Sequence, residues 1–274
     1  MTDTTLTWKK ALRLAGDAGI ELSDARLLLA HAGCVDLNTL ILYGNEPMPA
    51  DAYDRYLEYI EKRQSHLPVQ YITGEACFCG IDFHVDQNVL IPRPETELLA
   101  EMVFKNCENK TVLDLCTGSG CIAVAIRKLG RPAKVTACDI SEKALLIAGK
   151  NAENNGADVE LLKGDMFFAV GTRKFDIIVS NPPYIATAEI DSLQPEVRDF
   201  EPGIALDGDT DGLRFYRVIA GNAKAHLNPF GKLFLEIGED QGKTVPALLK
   251  DAGFENVEVK KDYSGLDRFV IAAC

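Results

Sequence analysis

Two different periodicities divide the chain. In the first 67 residues, apolar side chains recur at helical spacing, as on the face formed by Trp8, Ala11 and Ala15. Ser23 precedes a second periodic segment, and we expect it to cap that helix. We interpret residues 1–67 as a small helical bundle, because an amphipathic helix must bury its apolar face against a neighbour.

Strand periodicity begins after Gly80, where Ile81, Phe83 and Val85 alternate with polar residues. Alternation of this kind predicts a strand with one buried face, and the glycine ahead of it predicts a turn. We therefore expect residues 68–92 to form a linker that contains a β-hairpin and joins two domains.

A proline-containing segment follows the linker. Pro92 and Pro94 hold the backbone extended, because proline fixes φ and restricts the residue before it. Glu95 and Glu97 follow Pro94 directly, which favours a helix that starts there with its dipole matched by negative charge. The roles of Arg93, Glu95 and Glu97 stay open between function and bracing of the linker.

From residue 93 to residue 274, short apolar runs alternate with helical segments. This alternation predicts a parallel sheet that is covered by helices on both faces. The runs are residues 111–115, 134–138, 159–162, 175–179 and 232–237. Two last runs, 257–259 and 268–272, are too close together for a helical crossover and should pair antiparallel. The predicted fold is α/β, with a mostly parallel seven-stranded sheet after a helical bundle and a hairpin.

Composition narrows the classes of function. The chain has 41 acidic and 29 basic residues, a net charge of −12. Such a surface repels phosphate, whereas nucleic-acid-binding proteins usually carry a basic footprint, so we expect no direct nucleic acid partner. Eight cysteines without a CxxC pair indicate reduced thiols and no metal site. The polar N-terminus and the lack of an apolar run of about 20 residues predict a cytoplasmic protein.

A nucleoside site is predicted where the first two strands of the sheet end. The first strand runs into the turn Gly118-Ser119-Gly120, and a helix follows. Asp139 ends the second strand, 19 positions after Gly120, where its carboxylate can bind both ribose hydroxyls or cap a helix. Together these features predict a nucleoside cofactor. NAD stays an alternative, although only a relaxed version of the dinucleotide fingerprint is present.

A second motif, Asn181-Pro182-Pro183-Tyr184, follows the fourth strand of the sheet. Its prolines lack N–H donors and fix the backbone, so the carbonyls of Asn181 and Pro182 can face outward. A planar NH2 group fits this arrangement, because its two hydrogens can be donated to the Asn181 side-chain oxygen and the Pro182 carbonyl. Tyr184 can pack on the plane of the substrate. The alternative interpretation is a rigid proline turn without a partner.

An amide nitrogen is a weak nucleophile, because its lone pair is delocalised into the carbonyl. The sequence has no histidine close to Asn181 that would act as a base. We therefore expect direct in-line displacement that depends on positioning by Asn181, Pro182 and Tyr184, with loss of the proton after the attack.

The two motifs and their surroundings resemble the peptide chain release factor glutamine N(5)-methyltransferase family, within the class I S-adenosylmethionine-dependent methyltransferases. The resemblance extends from about Tyr71 to the C-terminus. In the helical region, the type of structure matches better than the individual residues do. The matching segments are Tyr71-Ile72-Thr73-Gly74, residues 90–97, residues 114–120, Asp139, residues 181–185, Glu201-Pro202 with Ala205-Leu206, Asp211-Gly212-Leu213, Glu236-Ile237-Gly238 with Gln241, and Asp267-Arg268.

The resemblance implies a Rossmann-like fold and methyl transfer from S-adenosyl-L-methionine to the glutamine of the Gly-Gly-Gln motif in class 1 peptide chain release factors. It also implies that the helical domain docks the release factor, and an exposed docking domain indicates a monomer. The implied cofactor-binding residues are Cys116, Thr117, Gly118, Ser119, Gly120, Asp139, Met166 and Asn181. The implied glutamine-binding residues are Asn181, Pro182, Pro183 and Tyr184.

The chain departs from the family's pattern at two positions. Cys116 stands where the family often has glycine, so we expect its backbone to avoid positive φ. Met166 stands where related enzymes can carry an aromatic residue. Glu201 and Glu236 either line the mouth of the site or cap helices, and Asp267 and Arg268 are expected to pair with each other.

Three other functions stay open at this stage. A nucleic-acid amino methyltransferase acting on adenine or guanine also needs a planar NH2 group, but it must flip a base and hold phosphates. Methylation of a ribosomal protein is closer in chemistry, and the sequence separates it poorly. A non-catalytic nucleoside-binding module would leave the motif Asn181-Pro182-Pro183-Tyr184 without a purpose.

Overall fold

A computed structural model describes residues 6–274 and divides the chain into two compact units. The first unit contains residues 6–74 together with Gln194–Phe200, and the second contains Glu75–Leu193 and Glu201–Cys274. The beginning of the predicted helical bundle, at residues 1–5, lies outside the described residues.

The first unit is helical, as its periodicity indicates. Its helices are α1 (Trp8–Asp17), α2 (Leu22–Gly33), α3 (Leu37–Leu42), α4 (Ala50–Gln64), α5 (Val69–Thr73) and α9 (Pro195–Phe200). Trp8, Leu28 and Tyr56 are buried in its core, and the Tyr56 hydroxyl donates to the Ala25 carbonyl at 3.2 Å. The burial of these apolar faces stabilises helices that are too short to be stable alone.

The sequence prediction for the start of α2 was wrong. The helix begins at Leu22 and its N-cap is Glu21, without a side-chain hydrogen bond. Ser23 therefore lies inside the first turn and does not cap the helix. The cap assignment failed because it was made from residue type alone, and the helix start is set by the packing of the whole apolar face.

Two parts of the helical unit lie outside the residues 1–67 that the sequence indicated. Helix α5 lies at the start of the predicted linker, where Val69 is buried in the core of this unit. Helix α9 comes from a distant part of the chain. Arg63 joins it to the bundle, because its guanidinium binds Asp24 at 2.8 Å and Glu196 at 2.5 Å.

The second unit begins with the predicted hairpin. Strands β1 (Glu75–Phe78) and β2 (Ile81–His84) pair antiparallel. The two turn residues between them, Cys79 and Gly80, have φ of 52° and 72°. Positive φ at both central positions is the geometry of the tight turns that match the twist of two-residue hairpins, and Gly80 adopts it without strain.

A seven-stranded sheet forms the centre of the second unit. Its strands are β3 (Thr111–Leu115), β4 (Lys134–Asp139), β5 (Glu160–Lys163), β6 (Phe175–Ser180), β7 (Leu227–Glu236), β8 (Glu255–Lys261) and β9 (Asp267–Ala273). The spatial order is β5-β4-β3-β6-β7-β9-β8. Pairs from β5 to β7 are parallel, and β9 pairs antiparallel with β7 and β8. This arrangement confirms the predicted mostly parallel α/β sheet and its antiparallel last strands.

Helices cover both faces of the sheet. They are α6 (Pro94–Phe104), α7 (Cys121–Leu129), α8 (Glu142–Asn154), α10 (Arg214–Asn222) and α11 (Thr244–Asp251). Alternate strand residues enter different cores: Leu113 and Ile178 pack in one, and Val112 and Ile177 in the other. The chain order reverses beside β3, whose neighbours are β4 and β6. Ligands of open α/β sheets bind at such a reversal, outside the carboxyl ends of the strands.

The expected pair of Asp267 and Arg268 was wrong. Asp267 accepts from the Lys261 ammonium at 2.7 Å, and the Arg268 guanidinium binds Asp262 at 3.2 Å. Consecutive residues of a strand point to opposite faces, so neighbours in β9 find partners on different sides. Within residues 6–274, no helix combines the length and apolar character needed to cross a membrane.

Candidate active site

A cavity opens where β3, β4 and β6 end, at the carboxyl side of the sheet. It contains residues from both predicted motifs. The sequence-predicted site residues that line it are Cys116, Thr117, Gly118, Ser119, Asp139, Met166, Asn181 and Pro183. Gly120, Pro182 and Tyr184 lie outside this lining. The cavity therefore brings the glycine-rich turn, the acid after β4 and the proline motif to one place.

The turn after β3 has a backbone conformation that the sequence did not indicate. Cys116 has φ of 60°, so the expectation that this residue avoids positive φ was wrong. A non-glycine residue pays about 1–2 kcal/mol for this left-handed conformation. Hydrogen bonds hold the turn: Thr117 N–H donates to the Cys138 carbonyl at 3.0 Å, and its hydroxyl donates to Asp114 at 2.6 Å. These bonds fix the neighbouring residue tightly enough to sustain the strained one.

The two glycines of the turn serve different purposes. Gly118 has φ of 55°, and a Cβ at this position would have no other atom within 4 Å, so its backbone faces the open cavity. Gly120 has φ of 80°, and a Cβ there would lie 3.0 Å from the Cβ of Ala148 in α8. Gly120 thus permits the left-handed start of α7 and its close packing on α8.

Asp139 accepts two backbone hydrogen bonds at the end of β4. Its Oδ2 accepts from Gly118 N–H at 2.9 Å, and its Oδ1 accepts from Ser141 N–H at 2.8 Å. Burial raises the pKa of this carboxyl, and the backbone hydrogen bonds counteract that rise. The N-cap of α8 is Ser141, so Asp139 is not a helix cap. Each carboxylate oxygen keeps a lone pair for a hydroxyl donor.

Asp114 lies behind the turn and is fully buried. Among the described residues, its Oδ1 is a buried side-chain oxygen without a hydrogen-bond partner. Burial raises the pKa of Asp114 to about 7, and the negative charge of Asp139 adds to this rise. A polar atom of this kind is costly to bury unless a ligand or an ordered water donates to it.

Asn181 is oriented by two buried side chains from distant parts of the chain. Its Nδ2 donates to Thr96 Oγ1 at 3.2 Å, and the Thr96 hydroxyl donates to Glu236 Oε2 at 2.7 Å. Thr96 belongs to α6, and Glu236 is the last residue of β7. Burial raises the pKa of Glu236 to about 7, while the hydrogen bond from Thr96 opposes the rise. Glu236 therefore contacts the acceptor motif and does not cap a helix.

The rest of the proline motif is supported from behind. The Gln241 amide nitrogen donates to the Tyr184 carbonyl at 3.0 Å and to the Gly212 carbonyl at 3.3 Å. A Cβ on Gly212 would lie 2.4 Å from the Tyr184 carbonyl oxygen, and one on Gly208 would lie 2.9 Å from the Tyr184 Cα. Glycine is required at both positions because the backbones approach so closely.

Several acids whose roles the sequence left open now have partners. Glu201 accepts from the Arg93 guanidinium at 2.5 Å and from Ile91 N–H at 3.3 Å. Arg93 lines the cavity and is half-buried, whereas Glu201 is buried, and the pair holds one edge of the cavity. Glu97 accepts from Cys79 N–H at 2.8 Å and braces the hairpin turn.

Sequence reasoning missed part of the cavity lining. The missed residues that close it are Asn88, Ile204, Arg214 and Phe215. They lie in loops and at the start of α10, and no motif in the sequence marks them. Thr96 was also missed, although it lies between two acids that the sequence analysis had singled out. A buried acid such as Glu236, at the end of an apolar strand, is the signal that points to it.

Comparisons with known proteins agree with these features. The family model described as the PrmC N-terminal domain matches residues 6–74, and the one described as the methyltransferase small domain matches residues 94–194. A release factor glutamine methyltransferase from Cereibacter sphaeroides is 46% identical over 264 residues, which are 95% of this chain and 94% of that protein. One from Geobacter sulfurreducens is 41% identical over 259 residues, 93% of this chain and 90% of that protein.

Solved structures support the fold. A methyltransferase from Pyrococcus furiosus has a TM-score of 0.55 and 24% identity, with 71% of this chain and 89% of that chain covered. A Thermus thermophilus 16S rRNA N2 G1207 methyltransferase, in complex with AdoMet and guanosine, has a TM-score of 0.53 and 20% identity, with 73% and 49% covered. Because proteins with different substrates share this fold, the fold alone does not identify the methyl acceptor.

Proposed function

The chain belongs to the release factor glutamine methyltransferase family, and we propose that it methylates the glutamine of the Gly-Gly-Gln motif in class 1 peptide chain release factors. The methyl group comes from S-adenosylmethionine, and the acceptor is the side-chain amide nitrogen. The observation that carries this proposal is the meeting of Asp139 and Asn181 in one cavity at the carboxyl ends of the strands.

The residues of the cavity fit the cofactor. S-adenosylmethionine supplies an electrophilic methyl group on a sulfonium sulfur. We assign its ribose to Asp139, whose oxygens keep lone pairs, and its other contacts to the turn after β3. The proposed cofactor-binding set is Cys116, Thr117, Gly118, Ser119, Gly120, Asp139, Met166 and Asn181.

The acceptor motif positions the amide nitrogen. Asn181 uses its Nδ2 to bind Thr96, so its side-chain oxygen remains available to accept a hydrogen from the substrate amide. We assign the second hydrogen to the carbonyl of Pro182, with Pro183 and Tyr184 completing the binding surface. Two carbonyl dipoles at the nitrogen stabilise the positive charge that develops there during the attack, and they require no reorganisation at that moment.

No base is needed before the attack, because the proton becomes acidic only as the nitrogen acquires positive charge. Glu236 reaches Asn181 through Thr96, and the assigned role of these groups is orientation. The proton leaves to solvent after methyl transfer. A solvent isotope effect that shows deprotonation before methyl transfer would overturn this sequence of steps.

The proposal extends to the partner and the location. We assign docking of the release factor to the helical unit, and we propose that the protein acts as a monomer without direct nucleic acid contact. The net charge of −12 supports the last point. The free cysteines fit a reducing compartment, and release factors act where translation occurs, so we place the protein in the cytoplasm.

The test is transfer of labelled methyl from S-adenosylmethionine to a purified class 1 release factor. Parallel reactions contain the release factor with its Gly-Gly-Gln glutamine changed to alanine, unmethylated DNA, and ribosomal RNA. We expect label on the intact release factor only. Label on nucleic acid alone would replace the substrate with a base amino group and leave the planar-NH2 chemistry in place. Cofactor binding without transfer to any of them would favour a non-catalytic module.

A further inference from the structure

Three buried or half-buried side chains form a continuous chain of hydrogen bonds behind the acceptor motif. Asn181 Nδ2 donates to Thr96 Oγ1 at 3.2 Å, and the Thr96 hydroxyl donates to Glu236 Oε2 at 2.7 Å. Thr96 and Glu236 are only 3% and 1% exposed, so water does not compete for these bonds.

The number of available protons decides which group donates in each of these hydrogen bonds. An ionised carboxylate only accepts hydrogen bonds, so the single hydroxyl proton of Thr96 must go to Glu236. The Thr96 oxygen is then left as an acceptor, and only the nitrogen end of the Asn181 amide can bind it.

We propose that Thr96 and Glu236 are positioning residues that hold the Asn181 amide with its oxygen toward the methyl acceptor. This inference rests on the proposed function, because the orientation matters only if the acceptor is an NH2 group. A reversed Asn181 amide would present its own NH2 to the NH2 of the substrate, and two donors cannot bind each other. Glu236 thus selects between a matched and a mismatched acceptor site.

The charge on Glu236 depends on all the groups around it. Burial raises its pKa to about 7; the hydrogen bond from Thr96 and the charge of Arg268 lower it, and Glu95 raises it. Tyr184 and Tyr216 also face this carboxylate, and the Tyr216 hydroxyl donates to the Glu236 carbonyl at 2.7 Å. Both tyrosines have pKa values raised by burial, so they stay neutral near pH 7.

Protonation of Glu236 removes the constraint on these donors, because a neutral carboxyl group can donate as well as accept. The acid can then donate to the Thr96 oxygen, and the Thr96 hydroxyl can donate to the oxygen of Asn181. In that arrangement the nitrogen of Asn181 faces the substrate, and the acceptor site is lost. We therefore expect kcat to fall as the pH drops through about 7, because the active form requires the ionised carboxylate.

The first experiment compares Glu236→Gln, Thr96→Val and Thr96→Ser in methyl transfer to a release factor. Glutamine and valine remove the bias toward one amide orientation, and we expect kcat to fall about 10- to 100-fold while KM for S-adenosylmethionine changes little. Serine keeps the hydroxyl and should restore most of the activity that valine loses.

A matched control is present in β4. Thr136 is as buried as Thr96, and its hydroxyl also donates to a glutamate, Glu160, at 3.0 Å. Thr136 lies outside the cavity lining, so Thr136→Val loses the same kind of bond without affecting Asn181. We expect this variant to keep the kcat of the wild-type protein.

The second experiment measures kcat between pH 5.5 and 8.5. The wild-type profile should fall on the acid side near pH 7, and the Glu236→Gln profile should lack that limb. A purely structural role of Glu236 would lower activity at every pH without changing the shape. The pH profile remains informative if Glu236→Gln folds poorly, because Thr96→Val should also remove the fall in kcat on the acid side.

The inference is overturned if Thr96→Val and Glu236→Gln keep kcat within about twofold of wild type, or if the acid limb is the same in all variants. Failure of the proposed function gives a different result, since the wild-type protein would then transfer no methyl to the release factor. Binding of S-adenosylmethionine, measured by calorimetry, separates both cases from a damaged cofactor site.

Discussion

The two sides of the cavity are built in different ways. The cofactor side, residues 116–119 with Asp139, is held by hydrogen bonds between residues 3 and 21 positions apart. The acceptor side, Asn181-Pro182-Pro183-Tyr184 with its supports, is held by bonds across 57, 85 and 140 positions. The cofactor side is nearly local in the chain, whereas the acceptor side exists only after α6, β6 and β7 have assembled.

This difference has a consequence for mutation. A local turn keeps its shape when one distant contact is lost, so damage on the cofactor side should appear as weaker cofactor binding. An orientation that depends on long-range bonds has no local alternative, so damage on the acceptor side should appear in kcat. The following variants test this division, in order of decreasing effect.

The largest effect is expected for Asn181→Ala. It removes the side-chain oxygen that accepts from the substrate amide, and loss of one such preorganised group typically reduces kcat by about 10²- to 10³-fold. Single-turnover methylation of a release factor measures this directly. A kcat close to wild type would remove Asn181 from the chemistry, and the acceptor side would then need no precise orientation.

Asp139→Ala should act on binding instead. The carboxylate is assigned to the ribose and also holds Gly118 N–H and Ser141 N–H. Loss of charged hydrogen bonds of this kind is expected to raise the Kd for S-adenosylmethionine about 10- to 100-fold, with kcat largely recovered at saturating cofactor. Calorimetry gives the Kd, and Glu142→Gln, an exposed acid nearby, is the control. A fall in kcat at saturation would contradict the division between the two sides.

Two glycine variants compare support of the acceptor motif with backbone strain alone. Gly212→Ala places a Cβ 2.4 Å from the Tyr184 carbonyl at φ of 70°, whereas Gly171→Ala has a similar φ of 61° and nothing within 4 Å. The second should cost about 1 kcal/mol of unfolding free energy, and the first about 2 kcal/mol more together with a loss of kcat. Thermal unfolding and kcat are measured on both. Equal losses would show that the close approach to Tyr184 is unimportant.

The smallest expected effect concerns Asp114. Its pKa is raised to about 7 in the folded protein, so the folded state favours the protonated form. The stability that this group contributes is present below the unfolded pKa of about 4 and is lost as the pH rises toward about 7. Asp114→Asn mimics the neutral acid and should raise the free energy of unfolding, and with it the unfolding temperature, at pH 8, with little difference at pH 4.

Unfolding scans of wild type and Asp114→Asn across this pH range give the measurement. Glu236 titrates in the same range, so part of the slope should remain in the variant. A lower unfolding temperature at pH 8 would mean that the charged Asp114 stabilises the turn, contrary to the effect of its burial.

The sequence by itself determined the elements whose signals are local. The strand predicted at 111–115 coincides with β3, and the predicted hairpin turn lies at Gly80. The acid after β4 and the proline motif after β6 were identified because each directly follows an apolar strand. Parallel strands bring such residues to one edge of the sheet, so the sequence also predicted that they would meet.

Only the tertiary structure decided the features that depend on distant residues. The left-handed backbone of Cys116 is sustained by the hydrogen bond that the next residue, Thr117, donates from its N–H to the Cys138 carbonyl on the neighbouring strand, which residue type could not indicate. Two further features also depend on residues that are distant in the chain. They are the membership of α9 in the helical unit and the separate partners of Asp267 and Arg268. The orientation of Asn181 depends on two distant residues. Thr96 lies 85 positions before it, and Glu236 lies at the end of another strand. Periodicity and motifs report what a residue and its neighbours prefer, whereas a buried polar group takes whichever partner the packed fold brings to it.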